Sequence, residues 1–213
     1  MSDIPDDLRV INLGFPKSGT TTLGEALTHA GMRVADWKVR QGQSKTMRGF
    51  VGKLMYEGYY RTGDPLHFLH DFNAFTEIEV VREGKNLWPQ TDFALLSAIR
   101  THYPGAKFIL SYRDPVKHAN SMRRWSNLGR TRLPDNAVPG LPPDYGRKPG
   151  ELERWIKGHV AFCRQIFTGC ETYMDYDVED VDAQDRIAAF LGVDLPWWGK
   201  VNQNQNHPEG ETV

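Results

Sequence analysis

Residues 14–22, with the sequence GFPKSGTTT, limit the possible folds of this chain more than any other segment. They follow residues 9–13, a β-branched apolar run that predicts a short buried strand. After them, apolar residues recur at helical spacing from Leu23 to Ala30, and Gly31 is placed to end that helix. A glycine-rich turn between a strand and a helix is typical of a phosphate-binding loop, because backbone N–H groups and the helix N-terminus face one anion.

The loop differs from the ATP-binding pattern G-x-x-x-x-G-K-[ST] at one position. Thr20 stands where that pattern has lysine, and Lys17 lies inside the loop instead. In ATP-binding loops the lysine reaches the β- and γ-phosphates, and the next hydroxyl residue holds Mg²⁺. A lysine nearer the start of the loop suits a shorter anion whose transferred group is attached to the first phosphate. Ser18, Thr20, Thr21 and Thr22 are expected to add hydroxyl donors.

Short apolar strands alternate with amphipathic helices along the chain, and this order predicts a single α/β domain over residues 1–213. We expect a parallel sheet with helices on both faces, as in P-loop nucleotide-binding proteins. Residues 127–150 are rich in Pro, Gly and Arg and predict a long loop or lid. Residues 75–81 are predicted as a strand or the end of one. The other predicted strands cover residues 9–13, 32–35, 107–112 and 173–176, and the main predicted helices cover residues 23–30, 93–103, 116–125, 152–167 and 186–191.

The composition excludes several classes of protein. Hydrophobic residues make up 39% of the chain and charged residues 25%, which is ordinary for a globular domain. A formal net charge of −1 excludes a general basic surface for nucleic acid or anionic membranes. No apolar run is long enough for a membrane span, the acidic N-terminus lacks a secretory signal, and Cys163 and Cys170 cannot form a disulfide framework. We therefore expect a cytoplasmic protein with reduced thiols.

A second candidate anion site follows the clearest predicted strand. Arg113 ends this strand, and Ser121 lies eight residues later on the next predicted helix. A guanidinium offers a planar pair of donors to a phosphate, and the serine hydroxyl can donate to the same group. More arginines lie nearby, and they are either recognition groups for an anionic acceptor or solvated surface charges. They are Arg123, Arg124, Arg130 and Arg132.

The loop and the second site together resemble a known family. The sequence PKSGTTTL at residues 16–23 looks like the 5′-phosphosulfate loop of sulfotransferases that use 3′-phosphoadenosine 5′-phosphosulfate (PAPS). The strand KFILSYR, followed by Asp114, Pro115 and then Ser121, resembles the second motif of these enzymes, which holds the 3′-phosphate. The order of the remaining patterns is also similar, most of all to short bacterial-type members.

This resemblance implies a sulfotransferase that moves a sulfuryl group from PAPS to an acceptor hydroxyl or amine, releases 3′,5′-ADP and requires no metal. It implies that Lys17 stabilises charge on the leaving phosphate oxygen. The acceptor is expected to be a small molecule or a glycan. The implied nucleotide-binding residues are Pro16, Lys17, Ser18, Gly19, Thr20, Thr21, Thr22, Arg113, Ser121 and, in the tail, Lys200.

This chain departs from the family pattern in two ways, since the C-terminal Arg-Lys-Gly element is missing and the usual general base is absent. Cytosolic animal sulfotransferases keep a histidine well ahead of the arginine that matches Arg113, and this chain has none at that place. Carboxylates are the remaining candidates. Glu77 ranks first, because some short bacterial-type members resemble this segment with an acid there, and Glu79 ranks second. If residues 75–81 form one strand, the two acids share a face. Asp92 stays a candidate, although helix capping already explains it.

Two other functions would use the same loop. An ATP- and Mg²⁺-dependent small-molecule kinase would share the fold, but Thr20 at the lysine position of the ATP loop argues against it. A nucleotide-binding protein without catalysis would show the same motifs. No metal site is expected, because no cysteine or acidic pair completes a zinc site around His67 and His70. The histidines, including His118 and His159, are expected on the surface or in packing contacts.

Overall fold

The computed structural model describes residues 4–82, 84–199 and 201. The central sheet in this part of the chain is made of β1 (Val10–Asn12), β2 (Val34–Ala35), β3 (Ala74–Phe75), β4 (Lys107–Tyr112) and β5 (Tyr173–Asp177). The strands lie in the order β2-β3-β1-β4-β5, and every neighbouring pair is parallel. This parallel sheet confirms the predicted fold class.

The helices that flank the sheet are α1 (Thr20–His29), α2 (Val51–Thr62), α3 (Phe93–His102), α4 (Pro115–Arg124), α5 (Glu151–Ile166) and α6 (Ala183–Leu191). Alternate residues of β1 point to opposite faces of the sheet. Ile11 packs in a core cluster with residues of α2, α3 and α5. Val10 packs in a second cluster with residues of α1 and α6. The sheet is therefore covered on both faces, as buried parallel strands require.

Local sequence signals set several helix boundaries where they were predicted. Gly31, with a φ of 92°, follows the last turn of α1. Asp92 begins α3, and its Oδ1 accepts the backbone N–H groups of Ala94 at 3.0 Å and Leu95 at 3.2 Å. Asp114 caps α4 in the same way. These boundaries follow from the sequence because a cap needs only residues close along the chain.

Residues 75–81 are the end of a strand and not a complete one. β3 includes only the first of them, and Val80–Arg82 forms a separate antiparallel hairpin with Lys85–Leu87. The residues in between are irregular and are held by Asn12, whose Nδ2 donates to the carbonyl of Thr76 over 2.9 Å. The condition under which the two acids of this segment would share one face of a strand is therefore not met.

A second antiparallel hairpin, which the sequence did not predict, pairs Lys38–Val39 with Gly49–Phe50. It contacts the first hairpin through Arg82, whose guanidinium carbon lies 5.1 Å from the ring centroid of Trp37 and 5.6 Å from that of Phe50. Both hairpins are inserted after strands of the main sheet. No helix in the described part of the chain is long and apolar enough to cross a membrane.

Residues 127–150 form a π-helical turn at Leu128–Arg132 and then a series of turns. Four apolar side chains of this segment are buried in a third core cluster together with Phe15 and Trp155. The four are Leu128, Leu133, Val138 and Leu141. The indole Nε1 of Trp155 donates to the carbonyl of Pro139 over 2.8 Å. The segment is thus packed on the domain, and its action as a lid stays a prediction.

Candidate functional site

The loop between β1 and α1 curls tightly because two of its residues have left-handed backbone conformations. Gly19 has a φ of 90° and Lys17 a φ of 72°. A Cβ on Gly19 would lie 2.6 Å from Cγ1 of Val178, so a side chain does not fit there. A Cβ on Gly14 would collide with two serine hydroxyls. Glycine at both positions therefore lets the loop backbone wrap around the space in front of α1.

A buried hydrogen-bond network supports the loop from the sheet side. The hydroxyl of Ser111, in β4, donates to Oδ1 of Asn12 over 3.2 Å and lies 2.8 Å from the hydroxyl of Ser18. Asn12 Oδ1 also accepts the backbone N–H of Gly14 over 3.1 Å. The Ser18 hydroxyl is engaged in this network, and Ser18 is absent from the lining of the cleft described below, so its role as an anion donor stays a prediction. The threonines of the loop keep that role as a prediction.

Two buried histidines hold the backbone on either side of Phe15. His118 Nε2 lies 2.9 Å from the carbonyl of Pro16, and His159 Nε2 lies 2.7 Å from the carbonyl of Leu13. Burial lowers the pKa of each imidazole to about 4, so both rings are neutral at neutral pH and donate from Nε2. The ring of His159 also stacks on Phe15 at 3.8 Å between centroids.

The contacts of these two histidines with loop carbonyls were not predicted from the sequence. Their positions carried a partial signal, because His159 follows Trp155 by four residues and so falls on the apolar face of α5. In α4, His118 lies four residues before the buried Met122. Helical spacing therefore predicts burial for both rings, but their carbonyl partners are distant in the sequence and could not be predicted.

A cleft of about 1410 Å³ opens at the carboxyl ends of the strands, beside the loop. Since β1 lies between β3 and β4, chain segments diverge on either side of it and leave a crevice, which is the usual ligand position in such sheets. The predicted site residues that line the cleft are Pro16, Lys17, Gly19, Thr20, Thr21, Thr22, Glu77, Glu79, Arg113 and Ser121. Lys200 lies outside the described residues.

One end of the cleft contains Arg113, which directly follows β4. Its Nη2 donates to Glu179 over 3.2 Å, and Nζ of Lys117 donates to the same carboxylate over 2.6 Å. The Nε atom of Arg113 is buried and has no hydrogen-bond partner among the described residues. Ser121, from α4, lines the cleft as well and is largely buried. A buried donor without a partner is uncommon in proteins, and this one suits an oxygen atom of a bound anion.

The other end contains two carboxyl groups, of which Glu77 is half-buried and Glu79 is buried. Burial raises the pKa of Glu77, and the nearby Asp36 raises it further, whereas Lys17 and Arg132 act in the opposite direction. The carboxyl of Glu79 accepts a hydrogen bond from Nε2 of Gln90 over 2.8 Å, and burial followed by repulsion from Glu77 raises its pKa. The carboxylate form of each group is therefore a stronger base than the carboxylate of an exposed glutamate.

Asp92, the third candidate base, does not line the cleft. One of its oxygens caps α3, and the other accepts a hydrogen bond from the hydroxyl of Tyr56 over 3.2 Å. Both oxygens are thus engaged away from the loop. Glu77 and Glu79 both line the cleft, and Glu77 also interacts electrostatically with Lys17 and Arg132, so its role as the base stays a prediction.

Lys17 lies between these two ends. Burial lowers the pKa of its ammonium group; Glu77 opposes this effect and Arg113 adds to it. The Nζ atom lies 3.5 Å from the ring centroid of Trp125, at the end of α4. A partly desolvated cation at this place interacts strongly with negative charge that develops near the loop.

The arginines near the second site differ in whether they line the cleft. Arg124 and Arg132 line the cleft. Arg132 donates from Nε and Nη2 to the carbonyl of Val81 over 2.9 and 2.7 Å, which fixes its guanidinium near the two acids. Arg123 instead pairs with Glu153 over 3.0 Å. The structure therefore keeps Arg124 and Arg132 as candidates for contact with an acceptor.

Comparisons with known proteins identify a family and one similar solved structure. The profile of the family described as "Sulfotransferase domain" matches residues 9–147. No curated protein matches the chain. Among solved structures, mouse sulfotransferase SULT7A1 complexed with PAP is similar, with a TM-score of 0.45 and 17% sequence identity. That similarity covers 89% of this chain and 58% of the mouse chain, so this chain spans less than two thirds of that protein.

The family match includes the loop, the acids at the opposite end of the cleft, and the segment from Arg113 to Ser121. It also covers well over half of the sequence. The chain belongs to the sulfotransferase domain family.

Proposed function

We propose that the protein transfers a sulfuryl group from PAPS to a hydroxyl or amine and releases 3′,5′-ADP. The observation that carries this proposal is the arrangement of the cleft, in which Lys17 lies between the half-buried Glu77 and a second anion site. Membership of the sulfotransferase domain family supports it. A donor with a 5′-phosphosulfate and a separate 3′-phosphate has the two anionic groups that this cleft can hold.

The phosphate loop and α4 would bind the donor at separate points. The backbone N–H groups of residues 16–22 and the N-terminus of α1 bind the 5′-phosphosulfate. The free Nε of Arg113 and the hydroxyl of Ser121 donate to the 3′-phosphate. Glu179 holds the guanidinium of Arg113 in place and partly neutralises it before the nucleotide arrives.

The transfer is a displacement at sulfur. The acceptor oxygen or nitrogen forms a bond to sulfur while the bond from sulfur to the bridging phosphate oxygen breaks. Glu77 takes the proton that the acceptor loses, and its raised pKa makes it a better proton acceptor than an exposed carboxylate. Lys17 stabilises the negative charge that accumulates on the departing phosphate oxygen. Since Lys17 and the loop N–H groups supply this counter-charge, the proposed reaction needs no metal ion.

The acceptor is a small molecule or a glycan, and Arg124 and Arg132 are placed to contact it. Residues 1–213 act as one domain. Cys163 and Cys170 are both unpaired thiols, which supports work in the reducing cytoplasm.

An ATP-dependent kinase is the second candidate. It fits the cleft less well, because Thr20 replaces the lysine of an ATP loop and ATP has no group for Arg113 and Ser121. A nucleotide-binding protein without catalysis would keep the anion sites, but it gives no role to Glu77 beside Lys17.

Two measurements test the function. In thermal unfolding, 3′,5′-ADP should raise the Tm more than ADP or ATP with Mg²⁺, because only it fills both anion sites. Charge-assisted contacts to the 3′-phosphate are worth roughly 2–5 kcal/mol together. In a transfer assay, PAPS labelled on sulfur should label components of a pooled cell extract. Equal Tm shifts for all nucleotides would reject PAPS as donor, and selective binding of 3′,5′-ADP without any transfer would indicate a binding protein.

A further inference from the structure

A second group of ligating side chains lies outside the cleft, in the segment that connects α2 to β3. Asp64, His67 and His70 each offer one ligand atom, and these atoms all lie within 4.8 Å of one another. None of the three is among the residues that line the cleft. This group, called the Asp-His-His cluster below, is independent of the transfer reaction.

The backbone of this segment places both imidazoles on the surface. Leu66 and Leu69 are buried in the core, whereas His67 and His70, each the next residue, are exposed. The turns between them are closed by backbone hydrogen bonds, from the His67 N–H to the Asp64 carbonyl over 3.2 Å and from the Leu69 N–H to the Leu66 carbonyl over 2.8 Å. Core packing of the leucines therefore fixes the positions from which the histidine rings project.

The carboxylate of the cluster is held in place by the protein. Asp64 Oδ1 accepts the backbone N–H of Leu66 over 2.9 Å. Its Oδ2 accepts the hydroxyl of Tyr103, from the end of α3, over 2.8 Å. Each oxygen retains a lone pair after these bonds. Outer partners of this kind orient a ligating carboxylate and are a normal part of metal sites.

We propose that the Asp-His-His cluster binds a divalent transition-metal ion, with Zn²⁺ as the best-suited probe. Two imidazole nitrogens and one carboxylate oxygen are donors that Zn²⁺ accepts, whereas Mg²⁺ and Ca²⁺ prefer oxygen ligands alone. Bond lengths near 2.0–2.1 Å require tetrahedral ligand atoms roughly 3.3 Å apart. The exposed rings can rotate to close that distance, and water would take the fourth position.

The bound ion would have a structural effect. It would connect three residues of the segment before β3 to Tyr103 through Asp64. Because metal binds the folded segment and not the unfolded chain in this geometry, binding should stabilise the fold. The sequence predicted no metal site here, because no cysteine or pair of acids accompanies His67 and His70. The structure adds Asp64, a single acid that lies three residues before His67.

The test uses the full chain without an affinity tag, after removal of metal with a chelator. Calorimetric titration with ZnCl₂ should give one site per chain, and ZnCl₂ should raise the Tm while MgCl₂ does not. Co²⁺ should give the intense visible absorption of a tetrahedral site. Wild-type protein that binds no Zn²⁺, or that responds equally to MgCl₂, would overturn the proposal without any variant.

Variants assign the binding to the cluster. The double change His67→Gln and His70→Gln should weaken Zn²⁺ binding at least about tenfold and remove the Tm increase. Both residues are exposed, so the fold should survive, and circular dichroism checks this. His29→Gln, at another exposed histidine in the last turn of α1, is the matched control and should bind like wild type. Equal affinity in the double variant and the control would overturn the proposal.

Discussion

The ammonium group of Lys17 lies 3.5 Å from the ring centroid of Trp125. This contact joins the phosphate loop to the end of α4. Lys17 has a φ of 72°, a conformation that costs a non-glycine residue of the order of 1 kcal/mol. A cation–π contact at a partly desolvated place contributes roughly 0.5–2 kcal/mol, which is enough to offset that strain. Trp125 thus helps to hold the lysine where the proposed leaving oxygen would lie.

Lys17→Ala should reduce kcat by roughly 10²–10³, because the charge of Lys17 is most valuable in the transition state. Steady-state kinetics with PAPS measure this. Lys53→Ala, which removes a surface lysine paired with Glu57, is the control and should keep wild-type rates. An unchanged kcat with weaker donor binding would assign Lys17 to ground-state binding instead.

Trp125→Leu should lower kcat by roughly two- to thirtyfold, the loss that corresponds to one cation–π contact. Trp125→Phe should retain most of the rate, since a phenyl ring still offers an aromatic face to Lys17. Comparing kcat and KM in the two variants separates aromatic character from side-chain volume. If leucine and phenylalanine give the same kinetics, the contact has no part in positioning Lys17.

Glu77→Gln should lose at least about a hundredfold in kcat with 3′,5′-ADP affinity retained, because the amide cannot accept the acceptor's proton. Asp92→Asn is the matched control, since asparagine caps a helix as well as aspartate does. It should keep both activity and stability. A nearly inactive Asp92→Asn beside a fully active Glu77→Gln would move the base to Asp92.

The same carboxyl predicts the pH dependence of the rate. Burial raises the pKa of Glu77, and only its ionised form accepts a proton, so kcat should rise as pH increases through this raised pKa. The residual kcat of Glu77→Gln should not show this rise with pH. If kcat of the variant rises with pH as kcat of the wild type does, another group is responsible for the pH dependence.

Arg113→Lys should weaken 3′,5′-ADP binding by roughly ten- to a hundredfold and change ADP binding little. Lysine keeps the charge but loses the Nε donor, and a hydrogen bond to a charged group is worth roughly 1.5–3 kcal/mol. Calorimetric titration with both nucleotides gives the ratio. Arg123→Lys, on α4 and paired with Glu153, serves as the control. An equal loss for both nucleotides would place the defect in the fold and not at the 3′-phosphate.

His118 and His159 should make the protein less stable in weak acid. Each has a pKa of about 4 when folded and near 6.5 when unfolded, so the unfolded chain binds more protons between these values. Their contribution is fully present above pH 6.5 and is lost as pH falls to about 4. His118→Gln should flatten the dependence of unfolding free energy on pH in this window, while the exposed His102→Gln should not. Parallel curves for both variants and wild type would contradict this.

The sequence by itself determined the features that depend on neighbours along the chain. The loop required glycine at positions 14 and 19, and both are needed in the structure. Asp92 was predictable as a cap because its partners lie two and three residues later. The order of strands and helices determined the parallel sheet, since parallel strands need the intervening helices as connections. The proposed nucleotide-binding residues of the loop and of the segment from Arg113 to Ser121 were predicted on the same basis, from the motifs that contain them.

Tertiary structure alone decided the features that depend on contacts between distant residues. The Ser18 hydroxyl turns inward because Ser111, ninety-three positions away, accepts it. Residues after Phe75 leave the sheet and bring Glu77 into the cleft, where the side chain of Asn12 holds Thr76. The two histidines reach loop carbonyls more than a hundred residues distant. Periodicity shows which side chains are buried, but a hydrogen-bond partner is chosen by packing of the whole fold, because only packing brings such residues together.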